Sequence, residues 1–315
     1  MMPFIARRVA QSIPLLLLVS LIVFALIHAV PGGPLALYLD NPNVRPQDIE
    51  RLRHAMGLDR SLATQYVSWL GAFVQGDWGY SYADGRPVLS RLVERVPATL
   101  VLVGTSSMAA AVIALFAALL VARRPALDRA LLLLAVAGIS LPVFWFGLVL
   151  QLVFSNWLGW LPSSGRTSFA GGDLLEQLRH LLMPAAVLAA AHAAGWMLYL
   201  RASLRTTGTT PLVPALRARG LDDARILQRH VLPLSLLPFV TVVLLDASIM
   251  ASGAVVTESV FAWPGIGSLF TEALAKRDYT VLLAFLMSAS CAVIVLNIVA
   301  DIVVHVLDPR TRAEG

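Results

Sequence analysis

The sequence is poor in charge, in lysine and in cysteine, and each shortage excludes a class of protein. Only 14% of its 315 residues are charged, whereas a soluble globular domain carries about 25%, so an ordinary soluble enzyme is excluded. Lys276 is the single lysine among 24 basic residues, and no GxxxxGK[ST] motif contains it. The chain therefore has no phosphate-cradling loop of its own. The single cysteine, Cys291, cannot form a disulfide within the chain.

Hydrophobic residues instead make up 58% of the chain, and the mean hydropathy is +0.76. A helix that crosses about 30 Å of hydrocarbon needs about 20 mostly apolar residues. Six segments reach that length: 9–30, 98–122, 131–155, 181–200, 236–257 and 281–307. Prolines and polar residues inside these segments require neighbouring helices to satisfy the freed backbone groups. The sequence therefore predicts an all-α membrane protein whose six transmembrane helices pack as a bundle.

The positions of the basic residues predict how the chain is oriented in the membrane. With a cytoplasmic N-terminus, thirteen arginines fall in the short cytoplasmic segments, whereas four basic residues fall in the short loops outside. Because short cytoplasmic loops carry the excess of Lys and Arg, both termini are predicted to be cytoplasmic. Arg7 and Arg8 before an apolar run also permit a cleaved signal peptide, although this run is longer than a usual signal core.

This orientation divides the chain into four predicted parts. Residues 1–30 form the first transmembrane helix, 31–96 an extracytoplasmic subdomain, and 97–308 a five-helix core that includes the cytoplasmic loop 201–235. Residues 309–315 form a cytoplasmic tail. In 31–96, aromatic residues cluster around glycines, which indicates a small ordered subdomain. Seven arginines there are balanced by seven carboxylates, so no basic patch is formed and no nucleic acid partner is expected.

The loop 201–235 has the pattern of two short helices joined by a bend. Helical spacing in its first half relates Leu212, Ala215, Leu216 and Arg219. Gly220 can adopt the left-handed conformation that ends a helix, so we predict the bend there. Asp222 and Asp223 suit the N-terminus of a second helix, which is predicted to stop at Pro233. The same pattern also suits an amphipathic loop that lies on anionic lipid headgroups.

Within this loop, the string ALRARGLDDARILQRHVLP (215–233) resembles the EAA loop of ATP-binding-cassette (ABC) importer permeases, which contacts the ATPase. The positions that match the pattern of that loop are Ala215, Gly220, Leu232 and Pro233. Three positions depart from it: Pro214 replaces a Glu, Leu216 an Ala and His230 an Ile. These departures leave a docking surface in place and change its individual contacts.

Six further strings resemble, in the same order, the dipeptide, oligopeptide and nickel permease family, and specifically its first, B-type subunit. They are IARRVAQSIPLLLLVSLIVFALIHAVPGGP, GLDRSLATQYVSWLGAFVQGDWGYSY, ERVPATL, ESVFAWPGIG, KRDY and NIVADIVVHVLDPRTR. No single string is decisive. Their joint order and spacing along nearly the whole chain identify the chain as similar to that family.

The resemblance implies a type I ABC importer permease fold in a bacterial inner membrane, with peptides as the transported solute. It implies a second homologous permease subunit, two cytoplasmic ATPase subunits that bind ATP and Mg, and an extracytoplasmic substrate-binding protein. The chain itself is then not an enzyme and holds no cofactor. The residues that the resemblance assigns to ATPase coupling are Ala215, Leu216, Arg217, Arg219, Gly220, Leu221, Asp222, His230, Leu232 and Pro233. Among them, Ala215, Leu216 and Leu221 would form the knob that enters an ATPase groove.

A polar side chain inside a predicted span raises the free energy of the protein in the bilayer, so each such residue is a functional candidate. The candidates for a translocation path or gate are Asp246, Glu258, Asn297 and Asp301. Asn297, Asp301 and His305 share one helix face. For Asp246 and Asp301, an interhelical hydrogen-bond cluster that fixes the bundle is the favoured alternative. Glu258 is either a gate residue at the outer interface or a solvated carboxylate.

Other motifs give little support for a metal site or a catalytic site in this chain. His28 and His192 each stand alone in a span, so we expect packed histidines and no metal site. HExxH and GxSxG are absent, which disfavours an intramembrane metalloprotease or serine hydrolase. Five tryptophans near span ends suit an aromatic belt or, less directly, substrate stacking: Trp145, Trp157, Trp160, Trp196 and Trp263.

Two alternative transport functions and a scaffold remain. The same mechanism serves nickel or metal-chelate uptake, and dipeptides, longer peptides and glutathione-like thiols are equally open as substrates. A proton-coupled secondary transporter would use Asp246 and Asp301, but such carriers usually contain two related halves, and none is evident. A membrane scaffold without transport would leave the arginine-rich loop without a role.

Overall fold

The structure, a computed structural model, describes residues 2–29, 35, 44–55, 57–167 and 172–307, and most of these are helical. In chain order the helices are α1 (Met2–Ala29), α2 (Pro46–Ala55), α3 (Leu62–Val74), α4 (Val88–Arg123), α5 (Asp128–Ser140), α6 (Val143–Leu150), α7 (Leu174–Gly208), α8 (Leu212–Ala218), α9 (Asp223–Ile226), α10 (Leu232–Val260), α11 (Ile266–Ala275) and α12 (Tyr279–Leu307). A 3₁₀ turn (Pro125–Leu127) precedes α5, and π-helical turns follow α6 (Gln151–Trp157) and precede α10 (Leu227–Val231). The predicted tail, 309–315, and residues 31–34, 36–43 and 56 of the predicted subdomain lie outside the described residues.

Five helices are long and apolar enough to cross a membrane, and one bent helix pair supplies a sixth candidate span. The five are Ile5–Ala29, Val88–Arg123, Leu174–Gly208, Asp223–Met250 and Tyr279–Val303. They overlap the predicted segments 9–30, 98–122, 181–200, 236–257 and 281–307. The all-α fold is therefore confirmed, with five candidate spans and a sixth if the bent pair crosses as one span.

The third predicted span, 131–155, is not one continuous helix as its hydropathy suggests. Here α5 and α6 are bent by 99° relative to each other. Leu141, at the break, has extended backbone angles (φ −77°, ψ 124°) and precedes Pro142. A proline disfavours the α conformation of the residue before it, so the helix ends there although the segment stays apolar.

The described chain divides into two compact units, Met1–Ala98 with Gly265–Ile294, and Thr99–Pro264 with Val295–Gly315. In the first unit, α1, the start of α4, α11 and the start of α12 share one apolar core. Its buried members include Val23, Ile27, Val88, Leu92, Leu269, Ala273, Val281 and Leu282. Trp69 of α3, together with Trp78 and Tyr82, packs against this core. The aromatic cluster that sequence analysis singled out in 31–96 is thus part of the packing of the first unit.

A buried carboxylate fastens residues 81–83 to the start of α12 within the first unit. Asp278 is 1% exposed. It accepts a hydrogen bond from the Ser81 hydroxyl at 2.5 Å and longer ones from the backbone N–H groups of Tyr82 (3.3 Å) and Ala83 (3.4 Å). The Arg91 guanidinium, whose side chain is 10% exposed, lies 3.8 Å away. We call these five residues the Asp278 clamp.

The second unit is built around α7, the longest of its helices to lie wholly within it. Asp173 caps the N-terminus of α7 by accepting a hydrogen bond from the Glu176 backbone N–H at 2.9 Å. The buried core contains Ala110, Ala114, Ala118, Ala135, Ala189, Ala193, Trp196, Met197, Leu200, Leu204, Val213, Leu216, Ile226, Val231 and Phe239. The many alanines allow neighbouring helices to approach closely, as is usual for helices in membranes. Residues of the loop 201–235 are part of this same core.

The segment after the break also packs tightly in the second unit. A Cβ atom on Gly147 of α6 would lie 3.2 Å from Phe261 and 3.3 Å from Val260, so no larger residue fits there without a shift. The Gln151 side-chain amide donates to the carbonyls of Ser163 (2.8 Å) and Val260 (3.0 Å). The end of α10 is therefore fixed against α6 by shape and by hydrogen bonds.

Candidate functional site

Residues 212–233, which we call the elbow, begin with α8 and a glycine-terminated turn. Gly220 has φ +81°, the left-handed conformation that the sequence predicted for it. Its N–H donates to the Arg217 carbonyl at 2.9 Å, and the Leu221 N–H donates to the Leu216 carbonyl at 3.3 Å. These two bonds form a Schellman motif, in which the residue after the glycine packs back on the last helical turn. Accordingly, Leu216 and Leu221 both contact the core of the second unit.

The second half of the elbow begins with the predicted aspartate cap. The Asp222 carboxylate accepts a hydrogen bond from the Arg225 backbone N–H at 3.2 Å and caps α9. The prediction that Pro233 ends this helix is wrong, because the chain runs through the π-helical turn Leu227–Val231 directly into α10. A π-helical turn widens the backbone where proline removes an N–H donor, so helical structure continues past Pro233.

The elbow has an apolar underside and an exposed outer face. Val213 and Leu216 are 6% and 8% exposed, and Ile226 and Val231 are also buried in the core of the second unit. Leu221 and Leu232 are partly buried against the same core, and His230 is half-buried. The exposed positions are Leu212, Pro214, Ala215, Arg217, Ala218, Arg219, Gly220, Asp222, Asp223, Ala224, Arg225, Gln228, Arg229 and Pro233. The expectation that Leu216 projects outward as part of a knob is therefore wrong, whereas Leu221 is only partly buried. Small and charged side chains together form most of the outer face.

The charges on the elbow pair with one another at its surface. The Arg217 guanidinium contacts Asp223 at 2.7 Å, and Arg225 lies 3.9 Å from Asp222. All four side chains are at least 59% exposed. Such pairs contribute about 0–1 kcal/mol to stability. These ion pairs therefore fix the orientation of the charged side chains and contribute little to the stability of the elbow.

A stronger ion pair, which sequence analysis did not single out, lies beside the elbow. Arg201 of α7 donates to both oxygens of Asp128 at 2.5 and 2.7 Å, and Arg205 donates to the same carboxylate at 2.8 Å. Asp128 is the first residue of α5. The signal in the sequence was a lone carboxylate within the arginine-rich connection 123–129. This pair ties the start of α5 to the last turns of α7.

Among the candidates inside the spans, Asp246 has a clear partner. The Trp196 indole N–H donates to its carboxylate at 2.6 Å, and Trp196 is 2% exposed. Trp196 therefore lies in the core and does not belong to an interfacial aromatic belt, and Trp263, 1% exposed, is buried as well. Trp145, Trp157 and Trp160 are exposed as a belt requires.

Asn297 and Asp301 are half-buried on α12. The Asn297 side chain lies 3.4 Å from the Ser248 hydroxyl, which donates to its oxygen. Because α10 carries both Ser248 and Asp246, hydrogen bonds link α10 to α7 and to α12 within the second unit. These contacts fit the interhelical cluster that sequence analysis gave as the alternative to a path lining.

Glu258 is not a solvated carboxylate, because its side chain is fully buried. It is 0% exposed and accepts a hydrogen bond from the Thr99 hydroxyl at 2.6 Å. The Trp263 backbone N–H donates to the Glu258 carbonyl at 2.8 Å and closes the turn that follows α10. A buried, hydrogen-bonded carboxylate at this turn joins the start of the second unit to the end of α10.

The two isolated histidines are packed, as predicted. His28 contacts the Phe24 carbonyl at 2.8 Å and the Gln65 side chain at 3.2 Å. His192 contacts the Leu188 carbonyl at 3.0 Å, and its ring meets the edge of Trp196. Within the described part of the chain, no cluster of three or more His, Cys, Asp or Glu side chains is placed to hold a metal ion.

Comparisons with known proteins match nearly the whole chain. Residues 110–313 match the family described as "Binding-protein-dependent transport system inner membrane component". Residues 1–103 match the family described as "Binding-prot-dependent transport system membrane comp, N-term". The two matches leave only residues 104–109 and 314–315 uncovered.

Individual relatives are similar over their full length. The chain is 36% identical over 314 residues to the oligopeptide transport system permease protein AppB of Bacillus subtilis, covering 98% of this chain and 99% of AppB. It is 34% identical over 333 residues to the di/tripeptide transport system permease protein DppB of Pseudomonas aeruginosa, covering 99% of each. It is 33% identical over 314 residues to the glutathione transport system permease protein GsiC of Escherichia coli, again covering 99% of each.

A solved structure shares the fold. A chain of the MetNI methionine ABC transporter in an inward-facing conformation aligns with a TM-score of 0.53 at 20% sequence identity. The alignment covers 71% of this chain and 99% of that chain. At this identity the likeness extends to the fold alone.

Proposed function

This chain belongs to the family of binding-protein-dependent transport system inner membrane components, and from that membership we propose that it is the permease subunit of an ATP-driven peptide importer. The observation that carries the proposal is the full-length similarity to permeases named for oligopeptides, for di- and tripeptides and for glutathione. These substrates all contain amide-linked amino acids. Peptides are therefore the substrate class that the relatives have in common.

The elbow couples this permease to its ATPase partner. Its outer face offers small side chains, Ala215, Ala218 and Gly220, between exposed arginines, and such a surface allows close approach of another protein. Its underside packs into the core of the second unit through Val213, Leu216 and other apolar side chains. Because interiors are close-packed, a push on the outer face is transmitted to the spans as a movement of packed helices.

The complete importer contains a second homologous permease subunit, two ATPase subunits and an extracytoplasmic binding protein that selects the peptide. The N- and C-termini and the elbow lie on the cytoplasmic side, as the distribution of arginines favours. The chain holds no cofactor, and ATP and Mg bind to the ATPase subunits. This division of labour explains why the permease needs no phosphate-binding loop.

The contacts of the polar residues do not favour a proton-coupled carrier. Such a carrier needs a carboxylate that is free to exchange protons, whereas Asp246 accepts a hydrogen bond from the buried Trp196. We assign Asp246, Asn297 and Asp301 to the bundle that surrounds the path, and buried Glu258 to the fixed end of α10. Transport energy comes from the ATPase partner.

Replacement of Ala215 by Trp tests the coupling role. Ala215 is exposed on α8, so the substitution leaves the core intact and places a bulky ring on the proposed docking face. Overpacking costs about 1–3 kcal/mol, so we expect peptide uptake and substrate-stimulated ATP hydrolysis to fall by about fivefold or more. Both are measured in proteoliposomes that contain the complete importer and its loaded binding protein.

The matched control is Ala126→Trp. Ala126 is also exposed, on the neighbouring connection 125–127, and we expect near-normal coupling for this variant. Gly220→Pro gives a second test, because proline cannot adopt the φ of +81° that the bend requires. Normal ATP stimulation in both Ala215→Trp and Gly220→Pro would refute the coupling role of the elbow.

A further inference from the structure

The second unit contains a cavity of about 860 Å³ between the elbow and the ends of two spans. It is lined by the end of α4 and residues 123–125, the last turns of α7, α8, α9 and the π-helical turn before α10. Its volume lies within the range of about 300–1,000 Å³ found for small-molecule sites. The function proposed above does not use the inside of this space, although Arg217 and Asp223, which are exposed on the elbow, also stand at its rim.

The inner wall of the cavity is apolar. The apolar side chains that line it are buried: Ala118, Val121, Leu204, Val213, Ile226 and Val231. They come from five helical segments, so the wall is a continuous surface and not a single exposed residue. A wall of this kind favours the hydrocarbon part of a ligand over water.

The rim of the cavity is basic. Four arginines line it, Arg123, Arg201, Arg205 and Arg217, against one aspartate, Asp223. Arg201 and Arg205 share the single carboxylate of Asp128, which leaves them with a net positive charge. Among the described residues, no carboxylate lies within ion-pair distance of Arg123. The cavity therefore presents excess positive charge next to an apolar wall.

We propose that this cavity binds an anionic phospholipid of the cytoplasmic leaflet, with its phosphate at the arginine rim and an acyl chain against the apolar wall. A basic pocket beside transmembrane helices on the cytoplasmic side is the arrangement that anionic headgroups select. A free inorganic anion would pair with the arginines but leave the apolar wall in contact with water. A phospholipid covers both surfaces and is therefore the better match. The choice of leaflet rests on the orientation proposed above, whereas binding itself does not.

The bound lipid keeps the elbow in a fixed position relative to the spans. It contacts α8 and α9 on one side and the end of α7 on the other, and these are the elements between which movement must pass during coupling. Bound lipid fills the space beneath the elbow and stiffens that connection. We therefore expect anionic lipid to raise the substrate-stimulated ATPase rate of the complete importer.

Two variants and two matched controls test the site. Arg123→Gln removes the rim arginine that has no ion pair among the described residues, and Arg124→Gln, its exposed neighbour outside the cavity, is the matched control. Gly208→Leu fills the cavity, since a Cβ at Gly208 meets no atom within 4 Å. Gly104→Leu, at another helical glycine with open space around it, controls for the added side chain.

The measurement is retention of phosphatidylglycerol by the purified complete importer, counted by native mass spectrometry after reconstitution in phosphatidylcholine with or without phosphatidylglycerol. One arginine near a lipid surface changes affinity by about fivefold. We therefore expect Arg123→Gln to retain about fivefold less, Gly208→Leu to retain little, and both controls to retain the wild-type amount.

Equal retention by all four variants would overturn the proposal, and so would equal loss in Arg124→Gln and Arg123→Gln. A third result would also overturn the proposal: the permease pair alone binds the lipid, but the lipid is lost when the ATPase subunits are added. The cavity would then be part of the ATPase contact. Because retention is counted without transport, a failure of this proposal is distinguishable from a failure of coupling at the elbow.

Discussion

The Asp278 clamp in the first unit and the elbow in the second unit use polar groups in opposite ways. In the clamp, one carboxylate that is 1% exposed receives donors from residues nearly 200 positions earlier in the chain. In the elbow, Asp222 and Asp223 are 65% and 75% exposed and bond within six positions. The clamp therefore fastens distant segments together, whereas the elbow charges shape only their own helix ends.

The difference teaches where each region obtains its stability. Removal of a partner from a buried charged network costs several kcal/mol, because the remaining charge is left desolvated. Exposed ion pairs contribute about 0–1 kcal/mol. The elbow must therefore be held by its apolar underside, which leaves its outer face available to a partner.

The largest effect is expected for Asp278→Ala. It removes the acceptor of Ser81, Tyr82 and Ala83 and one carboxylate of Arg91. Breaking a buried charge pair costs about 3–5 kcal/mol. We expect the lower end of that range, because Asp84 remains 3.4 Å from Arg91. The free energy of unfolding in mixed detergent micelles measures the loss.

Asp48→Ala is the control for the clamp. Asp48 is a 53% exposed carboxylate on α2 whose only ion pair in the described chain is with Arg51 on the same helix. We expect a change within about 0.5 kcal/mol. A loss in Asp278→Ala no greater than in Asp48→Ala would remove the distinction between clamp and elbow.

The second largest loss of stability is expected at the elbow. Leu216→Ala truncates a side chain that is 8% exposed and packs in the core of the second unit. Truncation of a buried leucine costs about 2–5 kcal/mol, and we expect about 2 because Leu216 lies at the edge of that core. Ala215→Ser, on the adjacent outward position, should change the free energy of unfolding by less than about 0.5 kcal/mol. Equal effects would show that the elbow has no inner and outer side.

A smaller effect is expected for Gly220→Ala. A Cβ at Gly220 meets no atom within 4 Å, so the cost is the left-handed backbone alone, with φ at +81°. That conformation costs about 1–2 kcal/mol for other residues, and we expect about 1. Gly208→Ala, at a helical glycine with equal space, should be neutral or slightly stabilising. Similar melting temperatures for the two alanine variants would contradict the Schellman geometry of the elbow.

The smallest effect concerns how stability depends on pH through Asp84, which lies beside the Asp278 clamp. Burial raises the pKa of the Asp84 carboxyl, but the Arg86 backbone N–H, the Ser81 hydroxyl and the Arg91 guanidinium together outweigh burial and lower that pKa. A lowered pKa in the folded state stabilises the fold at pH values above the ordinary Asp range, near pH 4, and this stability is lost as the pH falls through the folded pKa.

Asp84→Asn should therefore flatten the acid side of the stability profile. The effect is small, because the Asp84 side chain is 38% exposed and solvent screens it. Glu272 and Asp278 also face Arg91, at 3.9 and 3.8 Å, and are unchanged in this variant. Thermal stability, measured from neutral pH to about pH 3, checks the change. A steeper acid decline in the variant would mean that Asp84 does not stabilise the folded state as a carboxylate.

The sequence predicted the features that depend on local pattern. Apolar length located the spans, and Gly220 and Asp222 marked the bend and the cap, because left-handed backbone and helix N-termini have strong local preferences. The break at Pro142 was not predicted, since hydropathy does not change across it. Pro233 failed as a stop signal because a π-helical turn accommodates it.

The failures at the candidate site have a common physical cause, which is partners that are distant in sequence. Glu258 is buried against Thr99, 159 positions away, and Trp196 meets Asp246, 50 positions away. No local pattern encodes such pairings. The inward direction of Leu216 likewise depends on the core that α7 and α10 build beneath it. Burial and partner choice therefore required the folded structure.

The central claim, that the outer face of the elbow contacts an ATPase, is tested most directly by cross-linking from Ala218→Cys in a Cys291→Ser background. Ala218 is exposed on α8. In membranes that contain the complete importer, we predict an adduct with the ATPase subunit whose yield changes with ATP, and no labelling by a membrane-impermeant thiol reagent added outside. Labelling from the outside, with no ATPase adduct in any nucleotide state, would contradict the account.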